Sequence, residues 1–113
     1  MNDILQLSTK ISEGKTNIVF YFTSKQKDKL LKQEFTHVII EGNYYDGIKI
    51  YPSNEGYSLQ HKSDSYFIEF SSFLKNFPEI CYEKQNIDAY YDGMSYYIPS
   101  QNFDNLNYDF DKE

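Results

Sequence analysis

Arginine and tryptophan are absent from this 113-residue chain, and cysteine occurs once, at Cys81. Without arginine there is no planar guanidinium fork to grip phosphates or carboxylates in pairs, so each of the 11 basic residues is a lysine point charge. A lone cysteine excludes an intramolecular disulfide framework. The five glycines form no phosphate-cradling loop, and no serine lies in Gly-x-Ser-x-Gly, so nucleotide and serine-hydrolase chemistry have no signature. Long apolar runs are missing too. The longest, Ile18 to Phe22, falls far short of the ~20 residues of a membrane-spanning helix. No basic region followed by an apolar stretch opens the chain, which predicts a cytoplasmic protein without a membrane segment.

The side chains that could do chemistry are scattered. His37 and His61 lie far apart, with no His-x-His, Glu-x-x-His or Cys-x-x-Cys context, so no metal spacing is present. Asn107, Asp109 and Asp111 alternate like the first ligands of a calcium loop, but the glycine such a loop needs at its sixth position is missing. Cys81 carries no cysteine-hydrolase signature. The carboxylates of Asp88 and Asp92 flank a solvated turn, where little would shift a pKa. No catalytic, metal or cofactor residue is therefore assigned, and the chain is expected not to be an enzyme.

What the chain has in excess is tyrosine and negative charge: 12 Tyr and 9 Phe, with a net charge of −6. The acids gather towards the C-terminus. Residues 1–40 carry six lysines against four acids, and residues 81–113 carry two lysines against seven acids. Such a field opposes direct binding of nucleic acid or anionic membranes and favours a basic partner, chiefly by steering encounter. An AT-rich genome, which encodes Tyr, Asn, Lys and Ile heavily and avoids Arg, explains part of the same composition without any function.

The pattern of the chain predicts one α+β domain over 1–113, an antiparallel sheet of about five to seven short strands in a meander with hairpins, and two or three short helices packed against it. Asn2 or Asp3 caps a first helix with Ile4, Leu5, Leu7 and Ile11 on one stripe, ended by Gly14. Asn17 to Phe22 reads as a central strand buried on both faces. Thr23 or Ser24 caps a helix from Lys25 to Phe35, and a third short helix carries Phe73, Leu74 and Phe77. Strands are expected at His37–Ile40, Tyr44–Tyr51, Tyr57–Lys62, Tyr66–Phe70 and Ile80–Glu83, with 106–113 a frayed acidic tail.

The clearest local signal is a hairpin from Ile87 to Ile98 around Asp92-Gly93, read as a two-residue type I′ turn. That register pairs Tyr91 with Met94, Ala89 with Tyr96 and Ile87 with Ile98 on an inner face. Asp88, Tyr90, Ser95 and Tyr97 fall on the outer face. The similar stretch Tyr44-Tyr45-Asp46-Gly47 fails the same test, because Glu41, Asn43 and Tyr45 would join Ile48 and Ile50, so Asp46-Gly47 there is read as a bulge or bend within a strand. Tyrosines on an outer face are suited to interfaces, since each offers large area at low entropic cost and keeps a hydroxyl. The candidate partner-binding residues are Asp88, Tyr90, Asp92 and Tyr97, with Tyr44 and Glu83.

Taken whole, this small, acidic, Tyr-rich α+β chain without catalytic residues resembles the immunity proteins of bacterial polymorphic-toxin and contact-dependent growth inhibition systems. The resemblance is one of character across the entire chain and carries no motif, so it assigns no site residues. It implies a bacterial inhibitor that binds one cognate toxin domain, often a nuclease, at the active site or an exosite. The alternative is a phage-type anti-defence protein that mimics nucleic acid or plugs a host defence nuclease; six net charges are thin for imitating a duplex with one charge per ~1.7 Å. A third reading, a small-molecule module with aromatic walls, requires a preformed pocket.

Overall fold

The alternation Leu5-Gln6-Leu7-Ser8 and the apolar run Ile18 to Phe22 both resolve as strands in the computed structural model. The structure describes residues 2–12, 14–32, 34–43, 46–71 and 83–105. The order is β1 (Asn2–Ser12), β2 (Lys15–Phe22), α1 (Ser24–Leu31), β3 (His37–Asn43), β4 (Gly47–Ser53), β5 (Tyr57–Ser58), β6 (Gln60–Lys62), β7 (Ser65–Ser71), β8 (Gln85–Tyr91) and β9 (Tyr96–Ile98). A 3-10 helix, Ser100–Asn105, follows. All strand pairs are antiparallel and form one sheet in the order β5-β3-β4-β9-β8-β1-β2-β7-β6.

The two ends of that order are consecutive in the chain. β5 pairs with β3 and β6 pairs with β7, while Leu59 alone separates β5 from β6. The sheet therefore curls back on itself into a nearly closed barrel, which removes most of the open edge that a flat sheet would expose. The inner face follows from the register. Leu7 lies opposite Phe20, Phe20 opposite Ile68, Leu5 opposite Ile87, Ile48 opposite Ile98 and Ile50 opposite Tyr96. All of these are buried, and with Leu30 of α1 and Phe103 of the 3-10 helix they belong to one core. The interior is thus filled with side chains.

Two devices close the structure. α1 packs across β2, β3, β4 and β7, and Leu30 is fully buried. Its first turn is held by a capping box: the Thr23 hydroxyl accepts from the Gln26 amide, and the Gln26 side chain accepts from the Thr23 amide. β9 pairs with β8 only at Tyr90 and Tyr91, after which the 3-10 helix runs beside β8 and the Asn102 side chain donates to the Asp88 carbonyl at 2.8 Å. Gly47 permits β4 to approach β9 closely, since its φ is +102° and a Cβ there would lie 2.2 Å from the Ile98 carbonyl oxygen.

The α+β expectation of five to seven strands with two or three helices is corrected: among the described residues the protein is mostly antiparallel β, with nine strands and a single α-helix. The first helix is a strand. Leu5, Leu7 and Thr9 face inward at period two, and Ile4 points outward at 52% exposure, because β1 is paired along both edges, with β2 and with β8. A short stripe of Ile and Leu fits both periods, and partners distant in sequence chose between them. β2 matches the predicted central strand, with Ile18, Phe20 and Phe22 inward and Val19 buried on the outer side. The second helix stops at Leu31, short of Phe35. Asp46-Gly47 is no bulge: β3 and β4 form a hairpin whose register pairs Asn43 with Gly47 and keeps Ile40 opposite Ile50. The third helix, at Phe73 to Phe77, the tail at 106–113 and Cys81 lie outside the described residues.

Candidate protein-interaction face

β1, β8, β9, β4 and β3 lie side by side, and their outward residues form a continuous row. Asn2 is opposite Tyr90, Tyr90 opposite Tyr97, Tyr97 opposite Lys49 and Lys49 opposite Glu41. Tyr90 is 51% exposed and Tyr97 41%, and in the adjoining row Ile4 stands opposite the exposed Asp88. Glu41 stands opposite Lys49, Asp46 adjoins Tyr97, and Asp92 lies at the turn of the β8–β9 hairpin, where Lys32 donates to the Gly93 carbonyl at 3.0 Å. The Tyr97 hydroxyl donates to the Asp46 carbonyl, which fixes its ring against the sheet. Tyr51 donates to Glu41 at 2.6 Å, a bond that raises the Tyr51 hydroxyl above its ordinary pKa. The result is a flat aromatic strip with a mostly acidic surround.

The support beneath this strip is polar and specific. Asp3, on the inward side of β1, accepts from the Tyr96 hydroxyl at 2.6 Å and from Lys29 at 3.3 Å on one carboxylate oxygen. The other oxygen accepts from the Ile4 amide at 2.8 Å and from Gln26 at 3.3 Å. Burial works to raise this carboxyl, but the bonds from Tyr96, Ile4, Lys29 and Gln26 outweigh it and hold the pKa below the usual carboxylate value. Tyr96 moves the opposite way. Burial and the neighbouring Asp3 charge push its hydroxyl far up, so it stays a neutral donor. Tyr91 donates to the Lys29 carbonyl at 3.1 Å, and Lys29 lies 5.3 Å from the centre of the Tyr91 ring. α1, β1 and the β8–β9 hairpin are thereby locked to one another.

The hairpin itself has a wider turn than its Asp-Gly pair predicts. Tyr91 is opposite Tyr96 and Tyr90 opposite Tyr97, so Asp92 to Ser95 form a four-residue loop closed by the bond from the Asp92 amide to the Ser95 carbonyl. The cause is the Asp92 carboxylate, which accepts from the Met94 amide at 2.9 Å and the Ser95 amide at 2.7 Å and is held below its usual pKa by those bonds. A shift of two residues preserves the faces. Asp88, Tyr90 and Tyr97 stay outward and Ile87, Ala89, Tyr96 and Ile98 inward, while Met94 becomes exposed and Ser95 buried, the reverse of their expected places.

Of the six residues singled out from the sequence, Asp88, Tyr90 and Tyr97 lie together on this wall. Asp92 stands at its end with its carboxylate committed to the loop. Glu83 precedes β8, seven positions and roughly 23 Å of extended chain from Tyr90. Tyr44 lies outside the described residues. Sequence reasoning missed Ile4 and Lys49 as members of the wall, and placed Met94, which is exposed in the loop, on the inner face. The signal that would have put Ile4 outward was the alternation Leu5-Gln6-Leu7-Ser8 just after it, which a helical stripe through Ile4, Leu5, Leu7 and Ile11 obscured.

His37 bonds to Thr36, and His61 stacks on Tyr66 with ring centres 4.6 Å apart. Among the described residues no three His, Cys, Asp or Glu side chains gather as a metal site, and no helix is long and apolar enough to cross a membrane. No family model, curated protein or solved structure matches this chain.

Proposed function

We propose that this chain is a binding protein that acts without catalysis, an immunity protein that neutralises a cognate cytotoxic toxin in the cytoplasm through the outer wall of β1, β8, β9 and β4. The observation that carries the reading is the pair Tyr90 and Tyr97, directly opposite each other on bonded strands and about half exposed beside Ile4 and Asp88. The core is complete without these rings, so folding does not require their placement. An aromatic strip bordered by acids is complementary to a basic protein surface such as a nuclease domain, and a standard interface takes ~800 Å² per partner. The resemblance in overall character to immunity proteins supplies the choice of partner.

The test is co-expression with the product of the adjacent open reading frame. Rescue of growth and 1:1 co-purification support the reading. If the neighbour is harmless alone, or remains toxic in the presence of this protein, the reading fails. Tyr90→Ala and Tyr97→Ala are each expected to weaken toxin binding by about 2 kcal/mol, roughly 30-fold, as interface tyrosines do. Unchanged affinity in both variants would remove this wall from the interface.

A further inference from the structure

Three and four strands on from β9 in sheet order, the outer wall around β2 and β7 carries a groove of about 530 Å³. Its floor is unusual for an outward face. Ser8 and Val19 are each only 5% exposed, and the rings of Tyr21 and Phe67 lie 6.5 Å apart at 42°. The Ser8 and Tyr21 hydroxyls are hydrogen-bonded at 2.9 Å. Three lysines, Lys10, Lys62 and Lys84, line the groove with a single acid, Glu69.

Glu69 is already satisfied. It pairs with Lys10 at 2.7 Å and accepts from Asn17 at 2.8 Å. Lys62 and Lys84 pair with no carboxylate among the described residues, and the Lys84 ammonium stands 4.2 Å from the centre of the Tyr21 ring. In a chain of net charge −6, two lysines without a carboxylate partner among the described residues line an aromatic recess together with Ser63 and Ser65. Electrostatics alone would draw an anion there. The rings of Tyr21 and Phe67 add a surface for a flat apolar group.

We propose that this groove binds a small planar molecule carrying an anionic group, its ring against Tyr21 and Phe67 and its acid between Lys62 and Lys84. The volume lies within the ~300–1,000 Å³ of small-ligand sites. Nucleic acid does not fit, because its affinity depends on neutralising many phosphates and the groove's lining holds three lysines, one of them already paired with Glu69.

Phenyl phosphate, which joins one ring to one anion, tests the site by titration into the 15N-labelled full chain. Saturable amide shifts are expected around Ser8, Tyr21, Lys62, Phe67 and Lys84, with a Kd on the order of 1 mM. The double variant Lys62→Gln/Lys84→Gln is expected to bind about tenfold more weakly at unchanged Tm, because both side chains are exposed. Inorganic phosphate, lacking the ring, is also expected to bind about tenfold more weakly. Absence of saturable shifts, equal affinity in the double variant, or equal affinity for inorganic phosphate would each overturn the proposal. None of these outcomes bears on toxin binding, which is read at Tyr90 and Tyr97.

Discussion

Asp3 receives four hydrogen bonds, from Tyr96 on β9, Gln26 and Lys29 on α1, and the backbone of Ile4. Because its pKa is depressed in the folded protein, its contribution is fully present above the ordinary carboxylate value of about 3.9 and is lost as pH falls through the lower folded value. The urea midpoint of the natural protein should accordingly fall faster than that of Asp3→Asn between about pH 5 and about pH 2. Parallel curves would show that Asp3 contributes nothing to the acid limb. Asp92 illustrates a second residue-scale effect. It looked from the sequence like a turn residue and a partner contact at once, and its carboxylate is spent on two loop amides. Asp92→Ala should cost about 1 kcal/mol in chemical unfolding, the scale of a lost side-chain-to-backbone bond, and leave the β8–β9 faces unchanged.

Among the elements, α1 is short and depends on its packing more than on its propensity. Eight residues make a marginal helix in water, so the capping box and Leu30 decide whether it forms. Leu30→Ala should lower stability by about 2–5 kcal/mol through the cavity it leaves, and Thr23→Ala by about 1 kcal/mol, both measurable by urea unfolding. A Leu30 effect below about 1 kcal/mol would mean that the helix is peripheral to the core. The contrast between α1 and β1 shows where local pattern suffices. For α1 the sequence narrowed the cap to Thr23 or Ser24, and the capping box of Thr23 with Gln26 settles it on Thr23. In β1, by contrast, Leu5, Leu7 and Ile11 satisfy a helical stripe nearly as well as a strand. The hairpins show the same division: Asp92-Gly93 located the β8–β9 turn while Asp92 amide capping set its loop length. The β3–β4 hairpin, read from the sequence as a bulge or bend at Asp46-Gly47, was fixed by the pairing of Ile40 with Ile50.

Across the whole molecule, the barrel closes through very little. β5 contributes two residues and β6 three, all exposed, and Leu59 is the hinge between them. Amides of 57–62 should therefore exchange with solvent fastest among the strands. Those of β1 and β2 that face Leu7 and Phe20 should approach the global unfolding limit. Uniform protection across both regions would mean that the barrel opens only as a unit. Many of its pairings join distant parts of the chain, as β1 with β8, so folding is expected on the millisecond to second scale by stopped-flow measurement.

What the sequence determined by itself was the set of faces of β8 and β9, with Tyr90 and Tyr97 outward, the existence of the central strand β2, the position of the hairpin at Asp92-Gly93, and the acidic bias of the second half. Period-two alternation survives any shift of register by two, so Asp88, Tyr90 and Tyr97 were legible as neighbours even with the turn misassigned. Tertiary structure decided the rest. It made a strand of Asn2–Ser12 by supplying a partner on each edge. It brought Ile4 and Lys49 to the tyrosine pair, sealed the sheet through Leu59, and gathered Lys10, Lys62 and Lys84 from three distant stretches around one groove. Each of those outcomes depends on contacts between residues tens of positions apart, and local propensity carries no information about them.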